Sequence, residues 1–277
     1  MKGMISLPER HWPLLLTLMA ALPLWAADAP ADILKAWNDA QCQNDERARQ
    51  YTYTEQADRF TYGADGQLRK DSVETTDVIF VEGTAFRKLV ARNGNPLEAR
   101  EQARVEKEML QTAAERRKHH PPPAEGGKIF FGNQSADLGS RAEIFTMFEN
   151  RLVGEDTVGG RKAWIFESTP GARVVATNTH EKEVLCFRKR LWIDQEDHVL
   201  VKAVYTVIGD DLFAKPGSTL TFVYEKIGPD TWHEVSAVLD IYRVRDKAFK
   251  PSGRTEYRLT KFQKFDVQSS ITTDSGK

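Results

Sequence analysis

Leu191-Trp192-Ile193-Asp194-Gln195-Glu196-Asp197-His198-Val199-Leu200-Val201-Lys202 reads as a hairpin. Two runs rich in β-branched and aromatic residues flank a short acidic turn, the pattern of paired antiparallel strands. The pattern repeats outward in both directions. Upstream, Leu152–Val158 and Arg161–Ser168 meet at Gly159-Gly160, and Val184–Asp194 leads into the hairpin. Downstream, His198–Ile208, Ser218–Ile227, Trp232–Arg245 and Arg254–Val267 alternate with turns at Gly209-Asp210-Asp211, Gly228-Pro229-Asp230 and Pro251-Ser252-Gly253. Residues two apart in a strand share a face. Val199, Val201, Ala203, Tyr205 and Val207 therefore predict one uninterrupted apolar face. Leu220, Phe222 and Tyr224 predict another, with Thr219, Thr221 and Glu225 behind them. Trp164 and Phe166 lie together, opposite Ala163 and Ile165. One side of this sheet is strongly apolar and needs a cover.

The first half of the chain supplies both more strands and the cover. Asp32–Arg49 has a capping aspartate and an apolar stripe of Ile33, Leu34 and Trp37, so it reads as a helix. Tyr51–Tyr62, Val73–Val81 and Ala85–Arg92 follow as a three-strand meander with turns at Gly63-Ala64-Asp65-Gly66 and Glu82-Gly83-Thr84. Leu97–Lys118 has strong helix propensity, but its apolar stripe is thin: Leu97, Val105, Met109 and Leu110. It is expected to lie solvated beside or over the sheet. Residues 119–127, with three prolines and two glycines, predict a flexible loop, and Asp137–Asn150 predicts a further helix. The expectation is an α+β, mostly β fold in which about ten or eleven antiparallel strands are covered by helices.

The N-terminus reads as a leader segment. Lys2, Arg10 and His11 precede the uncharged run Trp12–Leu24, and small residues follow. That is the three-part pattern of a secretory signal peptide, with cleavage expected after Ala26 or, alternatively, Ala29. The run is shorter than the roughly 20 residues of a membrane-spanning helix, so no stable transmembrane segment is expected after cleavage. Residues 27–277 are then expected to form a single domain with a helical insertion at 97–150. Export implies an oxidising compartment. Cys42 and Cys186 are the only cysteines, and an even count permits one disulfide without requiring it.

Little reactive chemistry is legible. The net charge of −1 provides no bulk attraction for nucleic acid. Gly-x-Ser-x-Gly, His-Glu-x-x-His and phosphate-cradling glycine loops are all absent from the sequence. Ser140 lacks a strand-to-helix elbow, and Cys186 lies within an expected strand rather than at a helix N-terminus. His119-His120 has no accompanying ligand pattern. The acidic run Asp194–Asp197 lacks calcium-loop spacing and reads as a solvated turn. Neither a cofactor nor an enzymatic activity is expected. What the sequence does supply is aromatics on strands. Phe80, Phe86, Trp164, Phe166, Trp192, Tyr205, Phe222 and Tyr224 are the candidate lining of an apolar cleft left by incomplete helical cover. Such a cleft would hold an acyl chain through buried area alone.

The order of elements and the local wording carry a resemblance. Gly154-Glu155-Asp156-Thr157-Val158-Gly159-Gly160-Arg161-Lys162-Ala163-Trp164 is similar to a glycine–arginine–aromatic strand entry, and Leu191-Trp192-Ile193-Asp194 to an "L-W-I-D" hairpin, both found in the LolA/LolB-like superfamily. That superfamily comprises periplasmic lipoprotein carriers, outer-membrane lipoprotein-sorting proteins and RseB-type sensor domains. The resemblance implies an unclosed β-barrel, or half-barrel, of about eleven strands whose opening is plugged by helices. It also implies a periplasmic location, no enzymatic activity and a cavity for lipid or lipoprotein acyl chains. The implied partners are lipoprotein-handling proteins of the inner or outer membrane. The charged helix at 97–118 and the proline loop depart from the pattern. A protein-interaction or envelope-stress sensor with a filled interior is the alternative reading, and a hydrolase the third.

Overall fold

The computed structural model describes residues 30–119, 128–131, 134–210 and 212–265; at 119, 128–131 and 134–137 only the backbone is described. The expected signal peptide and residues 120–127 of the expected loop lie outside the described residues. Helix α1 (Pro30–Ala48) leads into strands β1 (Tyr51–Tyr62), β2 (Leu68–Val81), β3 (Thr84–Arg92) and the two-residue β4 (Asn95–Pro96). Helix α2 (Ala99–His119), the short strands β5 (Lys128–Phe131) and β6 (Gln134–Asp137), and helix α3 (Arg141–Met147) follow. The second half runs β7 (Phe148–Val158), β8 (Arg161–Pro170), α4 (Thr179–Leu185), β9 (Phe187–Asp194), β10 (Leu200–Val207), β11 (Thr219–Lys226), β12 (Trp232–Arg245) and β13 (Ala248–Lys264).

Eleven of the described strands form one antiparallel sheet, in the order β4-β3-β2-β1-β13-β12-β11-β10-β9-β8-β7. It is two meanders, β1–β4 and β7–β13, fused where β1 pairs with β13. The sheet keeps two edges, so it is an unclosed half-barrel. Its long edge strand β7 is blunted by a register shift between Leu152 and Gly154 and by exposed Glu149, Arg151, Glu155 and Asp156.

Two faces follow from the register. Ile33, Leu34 and Trp37 of α1 and Ile144 of α3 pack with Phe166, Leu191, Ile193, Ala203 and Leu239 in the main core. This is the inner face. Trp37 is 1% exposed, and its ring lies 5.9 Å from that of Phe145. Arg141 of α3 pairs with Asp45 of α1, locking the two covering helices together. At the far end of α1, Asn44 clamps strand β12: its Nδ2 donates to the Trp232 carbonyl at 2.9 Å, and its Oδ1 accepts from the Trp232 amide at 2.7 Å. Gln41 accepts from the Leu200 amide at 2.9 Å. These are buried backbone groups at strand ends, which must find a partner somewhere.

Four sequence expectations shift. The Val199–Val207 face is not uninterrupted. Leu200 pairs with Ile193 but Lys202 pairs with Trp192, so Val201 is the extra residue of a bulge. Ala203, Tyr205 and Val207 face the main core, while Val199 and Val201 join Trp192, Ala163 and Trp232 in a second cluster. The helix expected over Asp137–Asn150 is only Arg141–Met147, because Ser140 caps it in a capping box with Glu143 and Phe148 is already extended. The strand expected from Val184 starts at Phe187, after α4 ends at a Cys186 cap. Pro251-Ser252-Gly253 is no turn: Ile241 pairs with Gly253 and Tyr242 with Pro251, so Ser252 bulges within β13. The reversal lies at Asp246-Lys247, both with positive φ of 51° and 62°.

Asn44→Ala leaves the amide and carbonyl of Trp232 buried without partners. It is expected to cost about 1–3 kcal/mol per orphaned group, read as a lower urea midpoint with an unchanged denaturant slope.

Candidate functional site: the inner face of the half-barrel

Cα partners in an antiparallel sheet share a face. The partner row Phe166–Leu191–Ala203–Phe222–Ala237–Tyr257–Ala57–Glu74 runs across eight strands of the inner face. Six of the aromatic candidates therefore share that face: Phe166 itself, Trp164 two residues before it, Tyr205, Phe222, Tyr224, and Phe80 at the far end of β2. The other two do not. Trp192 lies between Leu191 and Ile193, facing outward, where its Nε1 donates to Asp156 at 3.0 Å and the Lys202 ammonium sits 4.6 Å from its ring. Phe86 neighbours Ala85, the partner of Phe80, and so points away from Phe80. Both are buried nevertheless.

The inner face is divided. Over β8–β10 it is filled. Phe166, Leu191 and Ile193 are at most 1% exposed beneath α1 and α3, and Lys189 is buried there too, its Nζ donating to the Leu138 carbonyl and lying 4.1 Å from the Phe148 ring. Leu220, Ala237 and Leu239 carry this filled core on to β11 and β12, and from there across to β3 the lining is mixed. Phe80, Phe222, Tyr224, Tyr53, Tyr257 and Glu234 all keep some accessible surface, although protein crowds several of them closely enough to alter their ionisation. These side chains are neither fully buried nor freely exposed, and Phe222, Tyr224 and Tyr257 pack against the main core.

The electrostatics of this half are specific. Burial, reinforced by the nearby charge of Glu55 and opposed by Arg87, pushes the Glu234 carboxyl up to about 8. Burial likewise raises the phenols of Tyr53 and Tyr205 to about 12 and those of Tyr224 and Tyr257 above their ordinary value, with Glu234 adding to each shift. Glu55 is buried and paired with the Arg87 guanidinium. The His233 ring is 4.9 Å from both Tyr53 and Phe262, and burial lowers its pKa. Sequence reading found Phe80, Phe222 and Tyr224 but missed Glu55, Arg87 and Glu234. Their signal was present: Glu55 sits between Tyr53 and Ala57 at a position that alternates inward.

The remaining candidates are structural. The Asp194–Asp197 turn is wrapped by Arg161, whose guanidinium donates to Asp194 at 2.8 and 2.6 Å and to Asp197 at 3.1 Å. Burial opposes ionisation of Asp194, but Arg161 and the amides of Asp197 and Glu196 outweigh it and hold its pKa low. Cys42 and Cys186 form no bridge. Cys42 is exposed on α1 and accepts from Arg141, whereas Cys186 is buried at the C-terminal cap of α4, where the helix dipole disfavours a thiolate. Ser140 is engaged in its helix cap with Glu143, which also meets His180. Among the described residues no group of three histidine, cysteine or carboxylate side chains is set to hold a metal ion, and no helix is long and apolar enough to cross a membrane. Two surface clefts, of about 390 Å³ by Glu149, Arg151 and Glu167 and about 300 Å³ by Arg47, Lys226 and Trp232, contain none of the eight aromatic candidates.

No family model and no curated protein matches the chain. Solved structures do, and the LolA superfamily is among them. A LolA superfamily protein from Nitrosomonas europaea is similar at 11% identity, over 87% of this chain and 96% of that one, with a TM-score of 0.36. A domain described as outer membrane lipoprotein-sorting from Vibrio parahaemolyticus is similar at 9% identity, over 87% and 93%, with a TM-score of 0.40. A DUF1329 family protein from Desulfovibrio piger is similar at 13% identity, over 86% and 95%, with a TM-score of 0.38. Superpositions this loose leave the fold to be read from the strand order itself and say nothing of what this chain binds.

Glu234 ties stability to pH. Its folded pKa lies above the usual carboxylate value, so the native state holds a proton that the unfolded chain releases between about 4.5 and about 8. Its contribution is complete below that window and is lost as pH rises through it. Glu234→Gln, which cannot ionise, is expected to gain stability relative to the parent as pH rises from 5 to 9, measured by urea unfolding at each pH.

Proposed function

We propose that this protein is a periplasmic binding protein that holds an amphiphile, a lipid or the acyl chains of a lipoprotein, in the cleft of its half-barrel. One observation carries the reading: the helical cover stops part-way across the inner face. The core beneath Trp37 and Ile144 runs from β8 to Leu220, Ala237 and Leu239 of β11 and β12, while Phe80, Phe222, Tyr53 and Tyr257 keep some accessible surface. A binding protein needs a rigid apolar wall beside an unfilled space, and a partly accessible aromatic wall supports that reading. The signal-like N-terminus supports export, and carriage between membranes fits a chain whose expected leader is removed. No step of chemistry is required of any residue.

The filled half favours a second reading, a sensor whose surface engages a protein partner without carrying lipid. Lipid content separates the two. Protein purified from a bacterial host is expected to carry lipid detectable by native mass spectrometry and, once stripped, to take up a fluorescent fatty acid. A preparation free of lipid that also takes up none would leave the sensor reading. Phe80→Glu, which places a charge at a half-buried position on the wall, is expected to weaken uptake by about tenfold, roughly 1.4 kcal/mol, with an unchanged far-UV spectrum.

A further inference from the structure

The β12–β13 hairpin outgrows the sheet it belongs to. Toward its tip, pairing of β12 with β11 ends where Thr219 meets Asp240, and pairing of β13 with β1 ends where Thr61 meets Gly253. The neighbouring loop still holds Tyr242, whose amide donates to the Ser218 hydroxyl at 2.8 Å and whose carbonyl accepts from the Lys215 amide at 3.0 Å. Beyond Tyr242 the two strands pair with each other alone among the described residues: Arg243 with Lys250, Val244 with Phe249, and Arg245 with Ala248. At roughly 3.4 Å per residue this projection is about 10 Å long. Every residue from Arg243 to Pro251 is exposed.

The projection has two unlike faces. Val244 and Phe249 stand opposite each other, 56% and 45% exposed, and Tyr242 with Pro251 continues their face toward the sheet. Arg243, Lys250 and Arg245 alternate onto the other face. Asp246 and Lys247 make the turn, both with positive φ. Glycine is the favoured residue at the second position of such a turn, and Lys247 places a cation there instead. Four cations thus surround the apolar pair. The one carboxylate among them, Asp246, lies 2.8 Å from the Lys250 ammonium. The whole chain carries a net charge of −1, so this positive charge is local to the tip.

The two faces together select the occupant. A soluble polyanion would satisfy the cations and leave Val244 and Phe249 in water. An apolar groove on a protein would take the pair and strip water from the cations beside it. A second copy of the tip would bring like charges together. An anionic bilayer offers phosphates at its surface and hydrocarbon just beneath them. Interfacial elements bury their apolar face by about 5–10 Å, a depth the projection can span, and basic residues are drawn to anionic lipid. We infer that the tip of the β12–β13 hairpin docks the protein on an anionic lipid surface, with Val244 and Phe249 entering the acyl boundary and Arg243, Arg245, Lys247 and Lys250 lying among the phosphates. Docking of this kind requires nothing of the inner face, whether or not lipid is held there.

The test is sedimentation of residues 27–277 with vesicles of phosphatidylcholine alone, or of phosphatidylcholine and phosphatidylglycerol in equal parts. Binding to the anionic vesicles is expected to be at least about tenfold tighter and to weaken with added salt. Replacing Arg245 and Lys247 by glutamine is expected to weaken it about fivefold for each cation removed. Val244→Ser with Phe249→Ser is expected to weaken it about tenfold, with an unchanged urea midpoint because both residues are exposed. Val175→Ser, at a position 80% exposed elsewhere on the surface, is expected to change nothing. Equal binding to the two vesicle types, or full binding by the double serine variant, overturns the inference. Heparin bound as tightly as the anionic vesicles, with no effect of the serine substitutions, overturns the membrane and points to a polyanion. Fatty-acid uptake without vesicle binding overturns the docking tip and leaves the cleft; vesicle binding without uptake supports the tip and removes the cleft.

Discussion

The rest of the structure depends on a shortage of cover. An eleven-stranded antiparallel sheet has an inner face far wider than one helix, whose diameter with side chains is about 10–12 Å. Among the described helices, α1 places Ile33, Leu34 and Trp37 in the main core and the seven-residue α3 only Ile144. The long helix α2 does little there: Val105 and Ala113 are buried on it, but Leu110 is 64% exposed. An uncovered stretch of sheet must then be polar, filled by its own side chains, or occupied. The part beneath the helices, from β8 to β12, is filled. Beside it, toward β3, the wall carries tyrosines and carboxyls among its aromatics, side chains that tolerate contact with water.

The covering helices are attached by polar contacts as much as by apolar ones. Asn44 and Gln41 are both buried, and both spend their amides on strand backbone at the ends of β10 and β12. Such contacts set the register of α1 along the sheet, because sliding the helix by one turn would orphan the Trp232 amide and carbonyl together. The position of the covered region, and hence of its boundary with the open region, is fixed by these two side chains. The Arg161 cluster does the equivalent at the neighbouring turn, joining β8 to the β9–β10 connection and presenting Asp197 to the Trp232 indole at 3.0 Å.

Much of this was legible in the sequence, and the failures have physical reasons. Strand existence followed from alternation, and Trp232–Arg245 matched residue for residue, with Gly228-Pro229-Asp230 marking its start. Face assignments held only where no bulge intervened. At Val201 one extra residue reversed every position toward Val199, and no composition signal marks it. Trp192 and Phe86 were grouped with the lining by residue type, yet each is one position out of phase with it. Ser140 with Glu143 was a visible capping signature that would have shortened the helix expected from Asp137. Glu234 could not be recognised as special, because its character comes from burial and from Glu55 and Arg87 on other strands.

The single non-consecutive neighbour pair in the large sheet has a consequence in time rather than in space. Every other pairing in that sheet joins strands adjacent in the chain, but β1 pairs with β13, bringing Tyr51 opposite Lys264. Contacts between such distant segments carry the largest loop-closure cost and slow folding. The two meanders can form independently as each is synthesised. The seam between them can close only after the last strand arrives. Until then β1 presents a bare edge on the side away from β2. The seam is thus the last feature of the sheet to come into being.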